Sequence, residues 1–228
     1  LWLLVLGKGI GASIDEDDGF AGVPYELFIF PGILTMTVLF QSVFYGLYIV
    51  WDRKIDFLKE VLAAPLNRST VFLGKCLGGV TDSMIQVTII IVLGLFIFPE
   101  INYTLQSIML VYLYLFLLAI IMTSLGLIIG SQMDSPEGFS LITSLVVFPM
   151  YFLSGALFLK NNLIEEAPVI YWLTAINPAS YAVDAIRYTM IPEDIFLEFG
   201  LARDFTVLIG FCIFLLALGT QCFKTMRL

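Results

Sequence analysis

The feature that most constrains this chain is a series of long apolar runs that hold almost no charged side chains. A helix needs about 20 apolar residues to cross roughly 30 Å of hydrocarbon. Of the 228 residues, 60% are hydrophobic and 13% are charged, and the mean hydropathy is +0.98. The sequence therefore predicts an integral membrane protein. The long runs fall at 27–50, 76–98, 105–130, 138–159 and 205–223.

The same runs predict helices rather than strands. In hydrocarbon every backbone N–H and C=O group must be paired within the protein, and the apolar residues here are continuous instead of alternating. The short apolar stretch at 1–7 is typical of the end of a further span, and the chain begins with Leu1, so we expect a fragment that lacks its N-terminus. The predicted fold class is all-α: one transmembrane domain over residues 1–228, a polytopic membrane helix bundle of six transmembrane helices with the first truncated.

The residue types present exclude several kinds of chemistry. The three cysteines, Cys76, Cys212 and Cys222, lie in or beside apolar runs, and the chain has no histidine. The usual ligands of a zinc or haem site are therefore missing, as is a disulfide framework, and we expect no metal site and no catalytic residue. The net charge of -8 argues against nucleic acid as a partner.

The distribution of Lys and Arg predicts which side of the membrane each loop occupies. Cytoplasmic loops carry an excess of these residues. Placing residues 51–75 in the cytoplasm puts most of the basic residues inside and the acidic stretch at 15–18 outside. We therefore expect a multi-pass protein of the cell (plasma) membrane in this orientation. The inside residues are then Arg53, Lys54, Lys59, Arg68, Lys75, Lys224 and Arg227, and the outside residues are Lys8, Lys160, Arg187 and Arg203.

The charged stretch after the first complete run predicts an amphipathic helix over 52–64. Apolar residues recur there at helical spacing, and charged residues take the opposite face. Pro65 ends the helix, because the residue before a proline disfavours helical geometry. Two interpretations are open: an anchor among lipid headgroups, or a docking element for a cytoplasmic protein, which the mixed charge favours. The apolar face comprises Trp51, Ile55, Leu58, Val61 and Leu62, and the charged face Asp52, Arg53, Asp56, Lys59 and Glu60.

The segment 168–191 is apolar enough to suggest a seventh span, but its sequence argues against one. Asn177-Pro178 breaks it in the middle. Asp184 and Arg187 would each cost about 2.5–3.5 kcal/mol deep in lipid. We expect two short re-entrant helices that dip into the outer leaflet and return as a lid, with Asp184 and Arg187 paired at i,i+3. The lid residues are Asn177, Pro178, Tyr181, Asp184 and Arg187.

Four motifs, in this order, carry a resemblance to a known family. They are "WDRKIDFLKEVLAAPLNRSTVFLGK", "MDSPEGF", "FPMYFLSGALF" and "NPASYAVDAIRY". The chain resembles, from about residue 27 to 223, the membrane subunit of type-2 ABC exporters, close to the daunorubicin-resistance and nodulation-export branch. The resemblance implies six spans, a cytoplasmic coupling helix between the second and third, and re-entrant helices between the fifth and sixth. We also expect the chain to pair with a second copy or a similar permease. Members often carry glycine where this chain has Asp56, and proline where it has Lys160.

The chain has no motif that would bind ATP. A phosphate-binding loop requires G-x-x-x-x-G-K-[ST]. The "GKC" at 74–76 fails, because Ser69 replaces the first glycine and Cys76 replaces Ser or Thr. We therefore expect no cofactor in this chain, with ATP and Mg on a separate ABC ATPase (nucleotide-binding) subunit that contacts 52–64. The predicted coupling residues are Asp52, Arg53, Asp56, Phe57, Leu58, Lys59 and Glu60.

A polar stripe in the run 27–50 is the candidate wall of a transport path. Thr37, Gln41, Tyr45 and Tyr48 follow one another at i, i+4, i+8 and i+11. They either bond neighbouring helices or line a cavity, and the resemblance implies that the second and fifth spans form the path. A kink is expected near Pro149 and Ser154-Gly155. The apolar residues beside the kink either form a hydrophobic constriction toward the outer side or simply pack against neighbouring helices. The constriction residues are Phe152, Leu153 and Phe158.

Two further residues leave alternatives open. Asp82 lies inside an apolar run, where it either reaches back to the cytoplasmic interface or has a role in coupling or substrate contact. Asn102 matches a glycosylation pattern on the outer side.

The function predicted from these features is that of the transmembrane permease subunit of an ATP-driven ABC exporter. Its cargo is expected to be amphipathic, such as a drug, lipid or lipid-linked saccharide, because the presumed walls mix aromatic, aliphatic and hydroxyl groups without a fixed charge. The alternatives are a secondary transporter, a channel-like protein or scaffold without an ATPase partner, and a membrane-embedded enzyme.

Overall fold

The structure is a computed structural model that describes residues 23–157, 168–191 and 199–225. Within these ranges all regular structure is helical, which confirms the all-α fold class. The helices are α1 (Tyr25–Phe44), α2 (Leu47–Lys54), α3 (Phe57–Ala63), α4 (Arg68–Ile97), α5 (Leu105–Gln132), α6 (Pro136–Phe152), α7 (Pro168–Ile176), α8 (Pro178–Met190) and α9 (Leu201–Thr225).

Four stretches of helix in the described part of the chain are long and apolar enough to cross a membrane. They are α1 together with α2, over Tyr25–Lys54, and α4, α5 and α9. They contain the runs predicted at 27–50, 105–130 and 205–223 and most of the run at 76–98. The predicted span at 138–159 is instead the 17-residue helix α6. At 1.5 Å per residue α6 is about 26 Å long, a little shorter than the hydrocarbon core, and the stretch 1–7 lies outside the described residues, so six spans are not confirmed.

Helix α5 lies at the centre of the bundle and packs against α1, α4, α8 and α9. Its crossing with α1 and α2 depends on residues without side chains. A Cβ atom on Gly126 would overlap the carbonyl oxygen of Val43, and one on Gly46 would overlap the carbonyl oxygen of Gly126. Small residues at such crossings let helix backbones approach closely in membrane proteins. The spacing of Gly126 and Gly130 on α5 therefore sets how near α1 can lie.

The helix predicted as continuous over 52–64 is divided in the structure. Helix α2 ends at Lys54 and α3 begins at Phe57. Between them Asp56 has a φ of 59°, in the left-handed region. Aspartate tolerates this conformation better than most residues, and glycine adopts it without strain. The glycine that the resemblance implies at this position therefore suits a turn, not a longer helix.

The segment 168–191 forms two helices that meet at Asn177. The side-chain oxygen of Asn177 accepts a hydrogen bond of 3.0 Å from the N–H of Ala179 and so caps α8. Pro178 occupies the first turn of α8, where a missing N–H costs nothing. All residues of α8 except Tyr188 are buried, against α1, α5 and α9. The predicted break thus separates a more exposed helix, α7, from a helix inside the bundle.

Candidate functional site

The bundle has two ends that carry most of the predicted site residues. We call the first the Arg53 end, which comprises residues 51–75, 131–136 and the end of α9. The second is the Arg187 end, which comprises the start of α1, residues 98–104 and 153–157, residues 177–191, and residues 199–204. The polar stripe predicted on α1 lies between them.

At the Arg53 end, Arg53 joins α2 to the connection between α5 and α6. Its guanidinium donates hydrogen bonds to the carbonyl oxygens of Ser131, at 2.7 Å, and Met133, at 3.2 Å. It also lies 3.1 Å from the carboxylate of Asp134. The last carbonyls of a helix have no partner within it, and the planar fork of an arginine can satisfy several at once. Arg53 therefore caps α5 and fixes the position of α2 against it.

A second link at this end connects α2 to α4. Asp52 and Lys75 form an ion pair whose side chains are both largely buried. Asp52 and Arg53, both predicted to contact a partner, make these contacts within the chain, and their contact with a partner stays a prediction. The connection of α2 to α4, α5 and α6 means that a displacement of this segment acts on three helices.

The remaining predicted coupling residues divide according to exposure. Leu58 is 0% exposed, so its side chain packs within the chain, and its contact with a partner stays a prediction. Ile55, which the helical pattern placed on the same apolar face as Leu58, is 68% exposed. Both differences follow from the turn at Asp56, which rotates α3 relative to α2. The exposed residues, which we call the Phe57 surface, are Trp51, Lys54, Ile55, Asp56, Phe57, Lys59 and Glu60.

The Phe57 surface combines apolar and charged side chains. Phe57 is 46% and Trp51 48% exposed. Lys59 forms an exposed ion pair of 2.7 Å with Asp56, and Lys54 lies 5.6 Å from the ring centroid of Trp51. Aromatic residues are enriched at protein interfaces, which are surrounded by a polar rim.

The polar stripe of α1 faces α4. Gln41 donates a hydrogen bond to the carboxylate of Asp82, and the hydroxyls of Ser42 and Ser83 are 2.7 Å apart. One turn further along, the ring of Tyr45 lies against Gly79, where a Cβ atom would come within 2.8 Å of it. The structure therefore joins Asp82 to the predicted stripe. Sequence reasoning treated them separately, because no pattern in one helix gives its register against another.

The other members of the stripe have different surroundings. Thr37 donates to the carbonyl of Ile33 in its own helix, at 2.9 Å. Tyr48 is 55% exposed, and its ring centroid is 5.0 Å from that of Tyr45. Gln41 and Asp82 are half-buried. The stripe is thus open on one side along Gln41, Tyr45 and Tyr48.

The predicted constriction is only partly described. Helix α6 ends at Phe152, and Gly155 follows with a φ of 75°. Phe152 is 54% exposed and Leu153 is half-buried, whereas Phe158 lies outside the described residues. Helix α6 packs on α1 through aromatic pairs earlier in its sequence, including Phe40 and Phe148 at 5.2 Å. A constriction therefore stays a prediction.

At the Arg187 end, Arg187 connects three parts of the chain. It is 1% exposed and donates hydrogen bonds to the carbonyl oxygens of Gly155, at 2.9 Å, and Ala156, at 3.2 Å. Asp184, also buried, accepts a hydrogen bond of 2.9 Å from the N–H of Phe199. Helix α8 thereby holds the chain after α6 and the chain before α9. The direct pairing of Asp184 with Arg187 stays a prediction.

Other contacts fix α8 from both of its ends. The Asn177 amide donates to the carbonyl of Met150, at 2.6 Å, and the Tyr181 hydroxyl donates to the carbonyl of Ala175, also at 2.6 Å. The N–H of Asn102 donates to the carbonyl of Met190, at 3.0 Å. Burial beside this contact raises the pKa of Tyr103 to about 12, so its hydroxyl stays neutral at physiological pH.

The cysteines and acidic residues of the described ranges form no metal site. No group of three or more His, Cys, Asp or Glu residues in these ranges is placed to hold a metal ion. Cys76, Cys212 and Cys222 are free thiols. Cys76 lies 3.5 Å from the hydroxyl of Ser124 on α5, and Cys212 donates to the carbonyl of Leu117, so both contribute to packing between helices.

Comparison with known proteins gives consistent matches. The model of the ABC-2 type transporter family matches residues 1–191, which include every described helix except α9. The inner membrane transport permease YadH of Escherichia coli K12 is 26% identical over 219 residues, covering 93% of this chain and 79% of YadH. The putative transport permease ycf38 of Cyanophora paradoxa is 30% identical over 165 residues, 72% of this chain and 56% of that protein. Nodulation protein J of Neorhizobium galegae is 25% identical over 206 residues, 88% of this chain and 75% of that protein.

Proposed function

The chain belongs to the ABC-2 type transporter family, and from that premise we propose that it is the transmembrane subunit of an ATP-driven exporter. It is a multi-pass protein of the plasma membrane, and its relatives YadH and ycf38 are named transport permeases. In this proposal it moves an amphipathic substrate out of the cytoplasm or the inner leaflet. ATP and Mg are bound and hydrolysed on a separate subunit, and two permease chains enclose the path.

The observation that carries the proposal is the way the Phe57 surface is joined to the bundle. The surface is exposed, yet Arg53 and Asp52, in the same segment of the chain, are bonded to the α5–α6 connection and to α4. A partner that pushes on the surface therefore moves spanning helices, because the intervening contacts are charged and short. Closure of two ATPase subunits would supply that push, and helix packing with two stable arrangements would convert it into opening of the path.

The distribution of charge supports a cytoplasmic position for this surface. Basic residues concentrate at the Arg53 end, as expected for cytoplasmic loops. Among the described residues, the basic residues of the Arg187 end are Arg187 and Arg203. The basic residues of the Arg53 end are Arg53, Lys54, Lys59, Arg68, Lys75 and Lys224.

The Arg187 end is then the outer end, and we propose that α7 and α8 form a re-entrant lid there. Helix α7 exposes apolar side chains such as Trp172, at 66%, which suits contact with lipid. Helix α8 is buried and carries Asp184 and Arg187 with hydrogen-bonded partners. Backbone breaks at membrane depth are tolerated where the protein buries them, as the cap at Asn177 does.

The experiment that tests the proposal measures coupling to an ATPase subunit. The full-length permease is purified with the ATPase that copurifies with it, reconstituted in proteoliposomes, and assayed for ATP hydrolysis and substrate release. We expect the ATPase rate to depend on the permease, and the variants Phe57→Asp and Glu60→Arg to lower coupled transport about tenfold or more, a loss of at least about 1.4 kcal/mol. Phe57 and Glu60 are both exposed, so these variants should still fold.

The matched control is Glu100→Arg, which makes the same change of charge on an exposed residue at the other end of α4. We expect it to leave coupling unchanged. Normal coupled export in both Phe57→Asp and Glu60→Arg would contradict the docking role. Uptake driven by an ion gradient, with this chain as the only protein present, would instead indicate a secondary transporter.

A further inference from the structure

The contact between Gln41 and Asp82 places a carboxylate within the apolar part of a membrane helix. Asp82 follows Lys75, the last residue of the Arg53 end on α4, by seven positions (82 − 75). That is about 10 Å along the axis into the apolar run. Ionisable groups at such depth are costly and usually face a water-filled cavity or another part of the protein.

The hydrogen bond to Gln41 satisfies Asp82 without neutralising it. The amide of Gln41 is uncharged, and no Lys or Arg side chain of the described residues pairs with this carboxylate. Both side chains are half-buried, so the carboxylate is accessible from the open side of the stripe. A negative charge without a neutralising cation is therefore held at one position on the presumed wall of the path.

Two aromatic rings follow this charge toward the Arg53 end. Tyr45 follows Gln41 by four residues, one turn away, and its ring is held against Gly79. Tyr48 is exposed and in edge contact with Tyr45. Aromatic faces attract organic cations, most strongly where water is excluded. A carboxylate beside tyrosines is the chemistry that binds a cation with an apolar body.

We propose that Asp82, Gln41, Tyr45 and Tyr48 form a binding site for lipophilic cations, and that these are the substrate class of the transporter. This inference rests on the proposed function and narrows it. The sequence suggested path walls without a fixed charge, but the register of α1 against α4 places the charge of Asp82 on this wall. Gln41 orients the carboxylate, Asp82 supplies the charge, and the tyrosines contact the apolar groups of the cargo.

The site is positioned for entry from the cytoplasmic side. Lys75 precedes Asp82 by seven residues on α4, about two turns. The pairing of Lys75 with Asp52 joins α2 to α4 at the Arg53 end, so Asp82 lies nearer to this end than to the Arg187 end. Tyr48 lies between Gln41 and Asp52 along the same helical stretch. A cation arriving at the inner leaflet would therefore meet Tyr48 before it reaches Asp82.

The test compares two lipophilic ions of similar size and opposite charge. Binding of tetraphenylphosphonium and of tetraphenylborate is measured by equilibrium dialysis against the full-length permease in lipid nanodiscs, without nucleotide or ATPase subunit. We expect saturable binding of the phosphonium only. Asp82→Asn should weaken that binding about tenfold or more, because the asparagine oxygen still accepts from Gln41 while the charge is lost.

Two further variants separate the site from general effects. Tyr48→Ala removes an exposed ring and should weaken phosphonium binding several-fold without affecting folding. Glu137→Gln removes one negative charge from an exposed residue of α6 and should leave binding unchanged. Equal binding of the two ions, or equal losses in Asp82→Asn and Glu137→Gln, would overturn the proposal. Because no ATPase is present, that result would leave the coupling role of the Phe57 surface standing.

Discussion

The guanidinium carbon of Arg187 lies 3.8 Å from the centroid of the Phe28 ring, inside the bundle. A buried cation is costly unless its charge and its N–H groups find partners. Here the ring of Phe28 covers one face of the guanidinium, and the carbonyls of Gly155 and Ala156 accept from its edge. The contact connects α1, the chain after α6, and α8. These segments are far apart in sequence, so Arg187 organises this end of the molecule.

Replacing Arg187 should destabilise the fold even when the charge is kept. In Arg187→Lys the planar stacking on Phe28 and one or both hydrogen bonds are lost, and we expect the free energy of unfolding to fall by about 2–3 kcal/mol. Denaturant titration of the full chain in mixed micelles measures this. Arg203 is exposed at the same end, with its guanidinium 5.3 Å from the centroid of the Phe199 ring, and Arg203→Lys should change stability by no more than about 0.5–1 kcal/mol. Equal effects of the two substitutions would show that Arg187 does not have this role.

Loss of Arg53 should loosen the connection between α5 and α6. Arg53→Gln removes the groups that cap the carbonyls of Ser131 and Met133, and such charged hydrogen bonds contribute about 1.5–3 kcal/mol each. We expect amide hydrogen exchange over residues 131–139 to become about tenfold faster or more. Lys54→Gln, a neutralisation at the neighbouring exposed residue, is the control and should leave these amides unchanged. Unaltered exchange in Arg53→Gln would mean that the cap is dispensable.

The turn between α2 and α3 predicts a difference in stability between two substitutions at one position. Asp56 has a φ of 59°, which glycine adopts freely and valine does not. We expect Asp56→Val to be less stable than Asp56→Gly by about 1–2 kcal/mol or more. Both variants lose the ion pair with Lys59, so their difference isolates the backbone conformation. Comparison of their unfolding midpoints gives the answer, and equal stability would argue for a continuous helix over 52–64.

The surroundings of two glycines predict that an added methyl group is tolerated at one of them and not at the other. In Gly126→Ala the new Cβ meets the backbone carbonyl of Val43, and separating the helices should cost about 1–3 kcal/mol. Gly210 in α9 has nothing within 4 Å of such an atom. There alanine should raise stability by up to about 1 kcal/mol, through its better helix propensity. Thermal unfolding of the two variants in the same detergent distinguishes them.

Several elements could be predicted from local sequence because their causes are local. Long uncharged runs must form helices in lipid. The run at 27–50 corresponds to α1 with part of α2, the run at 105–130 to α5, and the run at 205–223 to α9. Asn177-Pro178 combines a capping side chain with a residue that cannot continue the preceding helix, and the break between α7 and α8 lies there. The family was also recognisable, since its motifs are short stretches of sequence.

The difference in exposure between Leu58 and Ile55, which the helical pattern placed on one apolar face, could not be predicted in this way. A helical pattern assumes one axis, but Asp56 changes the axis between the two residues. An aspartate in the middle of an amphipathic pattern has the same appearance whether it lies on a polar face or at a turn. Only the packing of α3 against the bundle, with Leu58 fully buried, distinguishes the two.

The sequence by itself determined that the chain lies in lipid and that its fold is all-α, because continuous apolar runs in lipid are stable as helices. It also determined that these 228 residues contain no phosphate-binding loop motif. The tertiary structure alone decided which polar groups meet. Gln41 and Asp82 are separated by 41 residues, and Arg187 and Phe28 by many more. Their contacts depend on the distance and register between helices, which are set where backbones meet at residues such as Gly126, and no periodicity within one helix contains that information.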